Sequence, residues 1–164
     1  MKQVFNLMFL QSFAQWAFLG ANAFLAFIFF AIDEPLHMRR GLPTWEKISH
    51  PIDALCVGIT FALGYVASLQ QSKTFFWAYC VSALLTIVIS FKDELIHQEL
   101  CDAKEQVVHA FMFALNGIIF SLGAFLILLN GHSWPFLLGF AMAILTALWQ
   151  LFFWFILFKP AGKS

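Results

Sequence analysis

Apolar residues fall into five long runs, at about residues 4–32, 51–69, 74–91, 106–129 and 134–158, separated by short polar stretches. An α-helix rises 1.5 Å per residue, so about 20 residues cross the hydrocarbon core of a bilayer, and runs of this length predict transmembrane helices. The first run is too long and too rich in Phe for a cleaved leader, which predicts that it is retained. The expectation is therefore an all-α, polytopic membrane protein with about five transmembrane helices in a single domain over residues 1–164.

Polar residues inside the runs recur at helical spacing. Gln11, Gln15 and Asn22 share one face of the first run; Asp53, Cys56, Thr60 and Gly64 lie close to one face of the second. Ser82, Thr86 and Ser90 repeat every four residues in the third, and that stripe continues to Glu94 and His97. Polar groups are expensive in lipid, so these faces should look into a helix bundle, where interhelical hydrogen bonding accounts for the amides. The fifth run has few polar side chains, chiefly Thr146 and Gln150, and reads as a packing helix.

The breaks between runs carry local signals. Pro35 should loosen the end of the first helix, and Gly41 with Pro43 should stop it. Thr44 could then cap a short interfacial turn that holds Trp45. Asp102 and Glu105 have the spacing of a capping box, which starts the fourth helix near Ala103.

Composition agrees with the pattern. The chain is 62% hydrophobic and 11% charged, with 22 Phe among 164 residues and a mean hydropathy of +0.83, too little polar surface to cover a water-soluble globule. A net charge of zero gives no reason to expect a nucleic-acid partner, leaving membrane lipids as the surroundings. Cys56, Cys80 and Cys101 form no paired framework, and reduced thiols are expected. Five spans put the termini on opposite sides. Arg39, Arg40, Lys47, Lys92, Lys104, Lys159 and Lys163 then share one side, and Lys2 and Lys73 the other. The positive-inside rule makes the first side cytoplasmic, with the N-terminus outside. All nine acids and every histidine except His132 lie on that side.

Candidate chemistry gathers there. The first run ends in D-E-P-L-H (Asp33 to His37) and the third in D-E-L-I-H (Asp93 to His97), each followed by a returning helix that brings further donors: His50 and Asp53, then Glu105 and His109. The pattern predicts two related hairpins, the first helix with the second and the third with the fourth. In Glu-x-x-His the two side chains project from one helix face, so Glu34 with His37 and Glu94 with His97 could share a metal centre. The predicted ligands are Glu34, His37, Asp53, Glu94, His97, Glu105 and His109, with His50 and Glu99 behind them and Glu94 and Glu105 as proton-handling groups. Gathered carboxylates need protons, cationic partners or metal, and two divalent ions would neutralise four of them. The competing reading is a solvated rim whose acids pair with the nearby Arg and Lys.

This ligand pattern resembles that of di-iron and di-manganese carboxylate bundles, including the membrane-associated alternative oxidases. The resemblance covers only residues near four helix ends. It implies iron or manganese and oxygen-dependent chemistry. An amphiphile with its head at the site and its tail between helices would be the substrate. With zinc, the same shell would activate water to hydrolyse a lipid ester or amide, and a thiolate from Cys101 would favour that metal. Two other classes compete. A transporter of divalent ions or protons needs ionisable groups at mid-membrane, which no run supplies, and a non-catalytic assembly protein needs no metal.

Overall fold

The computed structural model describes residues 2–97 and 101–158, with side chains described over residues 5–91 and 101–158. It is all helical. The first span contains α1 (Lys2–Ile28), a π-turn (Phe29–Asp33) and α2 (Glu34–Arg40); the others are α3 (Thr44–Gln70), α4 (Lys73–His97), α5 (Ala103–Leu128) and α6 (Trp134–Phe152), which ends in a second π-turn (Phe153–Leu157). Among the described residues, five stretches are long and apolar enough to cross a membrane: Phe5–Arg40, Thr44–Gln70, Lys73–Phe91, Ala103–Leu128 and Trp134–Leu157. The chain is accordingly read as a multi-pass membrane protein in contact with lipid.

The first span is longer than its apolar run. Pro35 has no N–H to donate and its ring crowds the preceding turn, which disfavours a regular α-helix through this point. The π-turn absorbs the defect: the Glu34 N–H reaches back five residues to the Phe29 carbonyl, and the helix then continues to Arg40. It ends where Gly41, at φ 75°, donates its N–H to the His37 carbonyl at 2.8 Å. A positive φ there suits glycine. Thr44 starts α3 outright, with no separate interfacial turn, and Pro51 sits inside that helix.

Around the bundle the order is α1, α5, α4, α3, α6, with α6 closing against α1. The expected plan of two hairpins is not the pattern of packing. The most extensive interface joins α3 to α6, and α1 packs on α5. Small residues explain the first pairing, because TM helices approach closely where side chains are absent. A Cβ on Gly58 would lie 3.6 Å from the Cβ of Ala143, and one on Gly139 would lie 2.9 Å from the Phe61 ring. The core between the helices combines aliphatic side chains with five aromatic rings, Phe18, Phe61, Tyr79, Phe120 and Phe136, all buried.

Several polar groups on the inner faces are matched. Thr60 meets both Ser82 (2.8 Å) and Thr86 (3.2 Å) across the α3–α4 interface, and the Tyr79 hydroxyl donates to the Phe120 carbonyl at 2.8 Å. At the end away from the acids, Asn130 adopts φ 54° and the Gly131 N–H closes the turn onto the Leu126 carbonyl at 2.9 Å. Gln11 of α1 donates to the Leu129 carbonyl at 2.5 Å, and Ser68 of α3 to the Gly131 carbonyl at 2.8 Å. Both bonds tie neighbouring helices to the α5–α6 turn.

Gly64 offers a test of such close approaches. A Cβ there would stand 2.6 Å from Cδ1 and Cε1 of the buried Phe136 ring, whereas one on Gly117 would meet nothing within 4 Å. Gly64→Ala should cost about 1–3 kcal/mol through overpacking, and Gly117→Ala should be neutral or slightly stabilising. Unfolding of the detergent-solubilised protein by titration with SDS reads both.

Candidate metal centre

The Pro35-induced π-turn sets the register of the first span where the acids begin. Asp33 and His37, four residues apart, sit on one helix face, and so do Glu105 and His109 at the start of α5. The two helices are antiparallel, so the pairs meet crosswise. His109 Nε2 lies 2.9 Å from Asp33 Oδ1, and His37 Nε2 lies 3.2 Å from Glu105 Oε1. The other oxygen of Asp33 lies 3.4 Å from His37 Nδ1, so this carboxylate spans both imidazoles.

The row continues outward. Arg40, one turn beyond His37, places Nη2 2.9 Å from Glu105 Oε1 and 2.8 Å from Glu46 Oε2, with a second bond from Nη1 to Glu46 Oε1 at 3.1 Å. The order His109, Asp33, His37, Glu105, Arg40, Glu46 alternates basic and acidic groups. Glu46 is fully buried, His37 is 1% exposed, Asp33 2%, Glu105 3% and His109 7%. A solvated rim does not describe these residues. Three carboxylates against one guanidinium leave an excess of two negative charges when the imidazoles are neutral, in a place where unbalanced charge is costly. One divalent cation or two imidazolium protons would close the deficit.

Asp33, His37 and His109 each present a ligand atom, and those atoms all lie within 4.8 Å of one another. One carboxylate and two imidazoles form a donor set that transition metals take. Glu105 would stand behind His37, and Arg40 behind Glu105, in the way outer carboxylates orient ligating histidines. Local structure fixes Glu105: the Asp102 side chain accepts from the N–H groups of Lys104 and Glu105 at 2.9 Å each, starting α5 at Ala103.

The structure distributes the predicted ligands unevenly. His37, Glu105 and His109 come together, and His50 approaches them, its ring centroid 5.0 Å from that of His37. Glu34 is buried but turned aside, its carboxyl beside the Trp154 indole at the end of α6. Asp53 lies with His50 on the wall of an adjoining cavity. The side chains of Glu94, His97 and Glu99 lie outside the described residues. Asp33 is the member that the sequence reading passed over. Its signal was the acid-x-x-x-His spacing shared by Asp33–His37 and Glu105–His109, which the shorter Glu-x-x-His spacing obscured.

The adjoining cavity, of about 200 Å³, begins at Asp33 and His109 and runs among α1, α3, α5 and α6. Leu25, Phe29, Val57, Met112 and Met142 make much of its wall. The helix read as a packing element therefore helps to enclose the space beside the centre, through Met142, Thr146 and Gln150.

Cys101 is half-buried next to Glu105. Burial, reinforced by the Glu105 charge, pushes its thiol up to about 12, so it is held as a neutral thiol rather than as a metal-binding thiolate.

Two outcomes follow. Arg40→Leu would leave Glu46 and Glu105 buried without their cation and should cost about 3–5 kcal/mol; adding Glu46→Gln and Glu105→Gln should recover most of it, as read by SDS titration. At pH 8, alkylation of Cys101 by iodoacetamide should run about a thousandfold slower than that of a free cysteine. Mass spectrometry of the Cys101 peptide against a reference thiol measures the ratio.

Comparison with known protein families, with curated proteins and with solved structures finds no match to this chain.

Proposed function

We propose that the protein is a membrane-embedded metalloenzyme whose centre is Asp33, His37 and His109, acting on an amphiphile held in the adjoining cavity. The observation that carries this reading is the convergence of three buried donors, two of them on the wall of an apolar cavity, in a bundle of helices long and apolar enough to cross a membrane. A single divalent ion would balance the buried charge. It would leave coordination positions open, as catalytic sites require.

Iron or manganese is favoured. Two imidazoles and one carboxylate are the donors of open, oxygen-using iron sites, and an apolar cavity suits oxidation, hydroxylation or desaturation of a substrate that offers no hydrolysable group. The bound ion would supply the redox chemistry, with electrons from an external donor. Asp33 and His109 would hold the ion facing the cavity, His37 would be oriented by Glu105, and Glu105 would accept or return a proton through the His37 ring. Glu94 and His97, at the end of α4, would supply a second ion if the centre is dinuclear. Asp53 and His50 would face the substrate, and Glu34 would stay with Trp154. The basic face carrying Arg39, Arg40 and Lys47 would be cytoplasmic, with the N-terminus outside.

Zinc hydrolysis is the second reading, supported by the same donor set, which also occurs in hydrolytic zinc centres. Elemental analysis decides between them. Protein purified in mild detergent without added metal should carry one equivalent of iron or manganese, falling below about a tenth in Asp33→Ala and His109→Ala variants that keep their helicity. Two equivalents, one lost in Glu94→Ala, would mean a dinuclear centre, and zinc would mean hydrolysis. Protein that stays metal-free after anaerobic reconstitution would overturn the metalloenzyme reading.

A further inference from the structure

The wall of the cavity beside Asp33 and His109 has a chemical signature of its own. Charged side chains in the described wall are only the acids Asp33 and Asp53, next to His50 and His109; no Lys or Arg lines it. In the metal-free cavity an anionic headgroup or a fatty-acid carboxylate would meet like charge and neither Lys nor Arg, in surroundings too apolar to screen the repulsion. A divalent ion held by Asp33 and His109 would only cancel the two acids when the imidazoles are neutral, so the cavity offers an acid no net attraction in either state.

Two buried acceptors mark what it carries instead. Gln150, on α6, is 4% exposed, and its Oε1 finds no donor among the described residues. Asn116, on α5, has its Oδ1 in the same condition, and both residues line the cavity. A buried carbonyl oxygen without a donor is destabilising, and such atoms are rare unless a ligand or water completes them. Asn116 stands seven residues from His109 along α5, about 10 Å deeper in the membrane. A hydroxyl or N–H group inside the cavity would satisfy one or both of these oxygens.

Size limits the rest. An apolar protein cavity of about 150 Å³ accommodates a benzene molecule, so a space of about 200 Å³ takes a ring with a short substituent, or an equally compact section of a larger molecule. We infer that the cavity binds an uncharged, compact ligand bearing a hydrogen-bond donor, in the chemical class of an alcohol or phenol, with that donor directed at Gln150 or Asn116. The word substrate for this ligand rests on the metalloenzyme reading; its binding does not.

The test uses the full-length protein in lipid nanodiscs and three probes of matched size: 4-ethylphenol, ethylbenzene and 4-ethylbenzoate. Binding is measured by saturation-transfer NMR against empty nanodiscs. The phenol should bind about tenfold more tightly than either of the others, the value of one buried hydrogen bond. Gln150→Leu should bring the phenol to the level of ethylbenzene while leaving ethylbenzene unchanged, which also reports that the cavity is intact. If Gln150→Leu loses both probes, Asn116→Leu is judged by the same criterion. Met142→Trp, which fills the space, should abolish binding of all three. Equal binding of phenol and ethylbenzene, tighter binding of the benzoate, or binding that survives Met142→Trp would overturn the inference. Phenol binding to protein that carries no metal would leave it standing and remove the metalloenzyme reading. Metal without phenol binding would do the reverse.

Discussion

Six ionisable side chains that alternate in character are threaded between α1–α2, α5 and the start of α3, and all but the partly exposed Arg40 are buried. That is the constraint on which the polar end of the molecule depends. A carboxylate in such a place is tolerable only when cations or donors surround it. Asp33 is held between two imidazoles, and Glu105 between an imidazole and a guanidinium. Removing a link strands a charge on either side of it. The row therefore fixes the register of α1 against α5 more sharply than apolar packing would, because leucines slide past one another at little cost and paired charges do not.

The same row determines what the cavity next to it can be. At its inner end the row presents Asp33 and His109 to an apolar space, and at its outer end Arg40 anchors it to Glu46 of α3. Asp33 and His109 thus lie where the apolar space begins, and the Arg40 guanidinium is not part of its wall. This placement explains why the described cavity wall contains acids and imidazoles but no Lys or Arg. Closing the ring needs α6 as well, brought close to α3 by Gly58 and Gly139.

Much of this was legible locally. The five spans follow from run length, the start of α5 from the capping geometry of Asp102, and the inward direction of Gln11, Thr60, Ser82 and Thr86 from helical spacing. His37, Glu105 and His109 stood out as donors because charge is scarce in the chain. Other features were not readable. Pro35 looked like an end to the first helix, yet the span passes through one π-turn and runs on to Arg40, carrying the Asp33–His37 face with it. Helices adjacent in sequence looked like hairpin partners, yet α1 packs on α5.

By itself, the sequence determined that the chain spans a membrane and which residue types would be available at one end of it, because hydropathy and helical periodicity act over a few turns. Only the tertiary structure decided which acid stands between the histidines, which helix faces which, and that a cavity adjoins the cluster. Those outcomes turn on a single inserted residue in a helical turn and on how closely two glycine-bearing helices approach. Neither leaves a periodic trace in the order of residues.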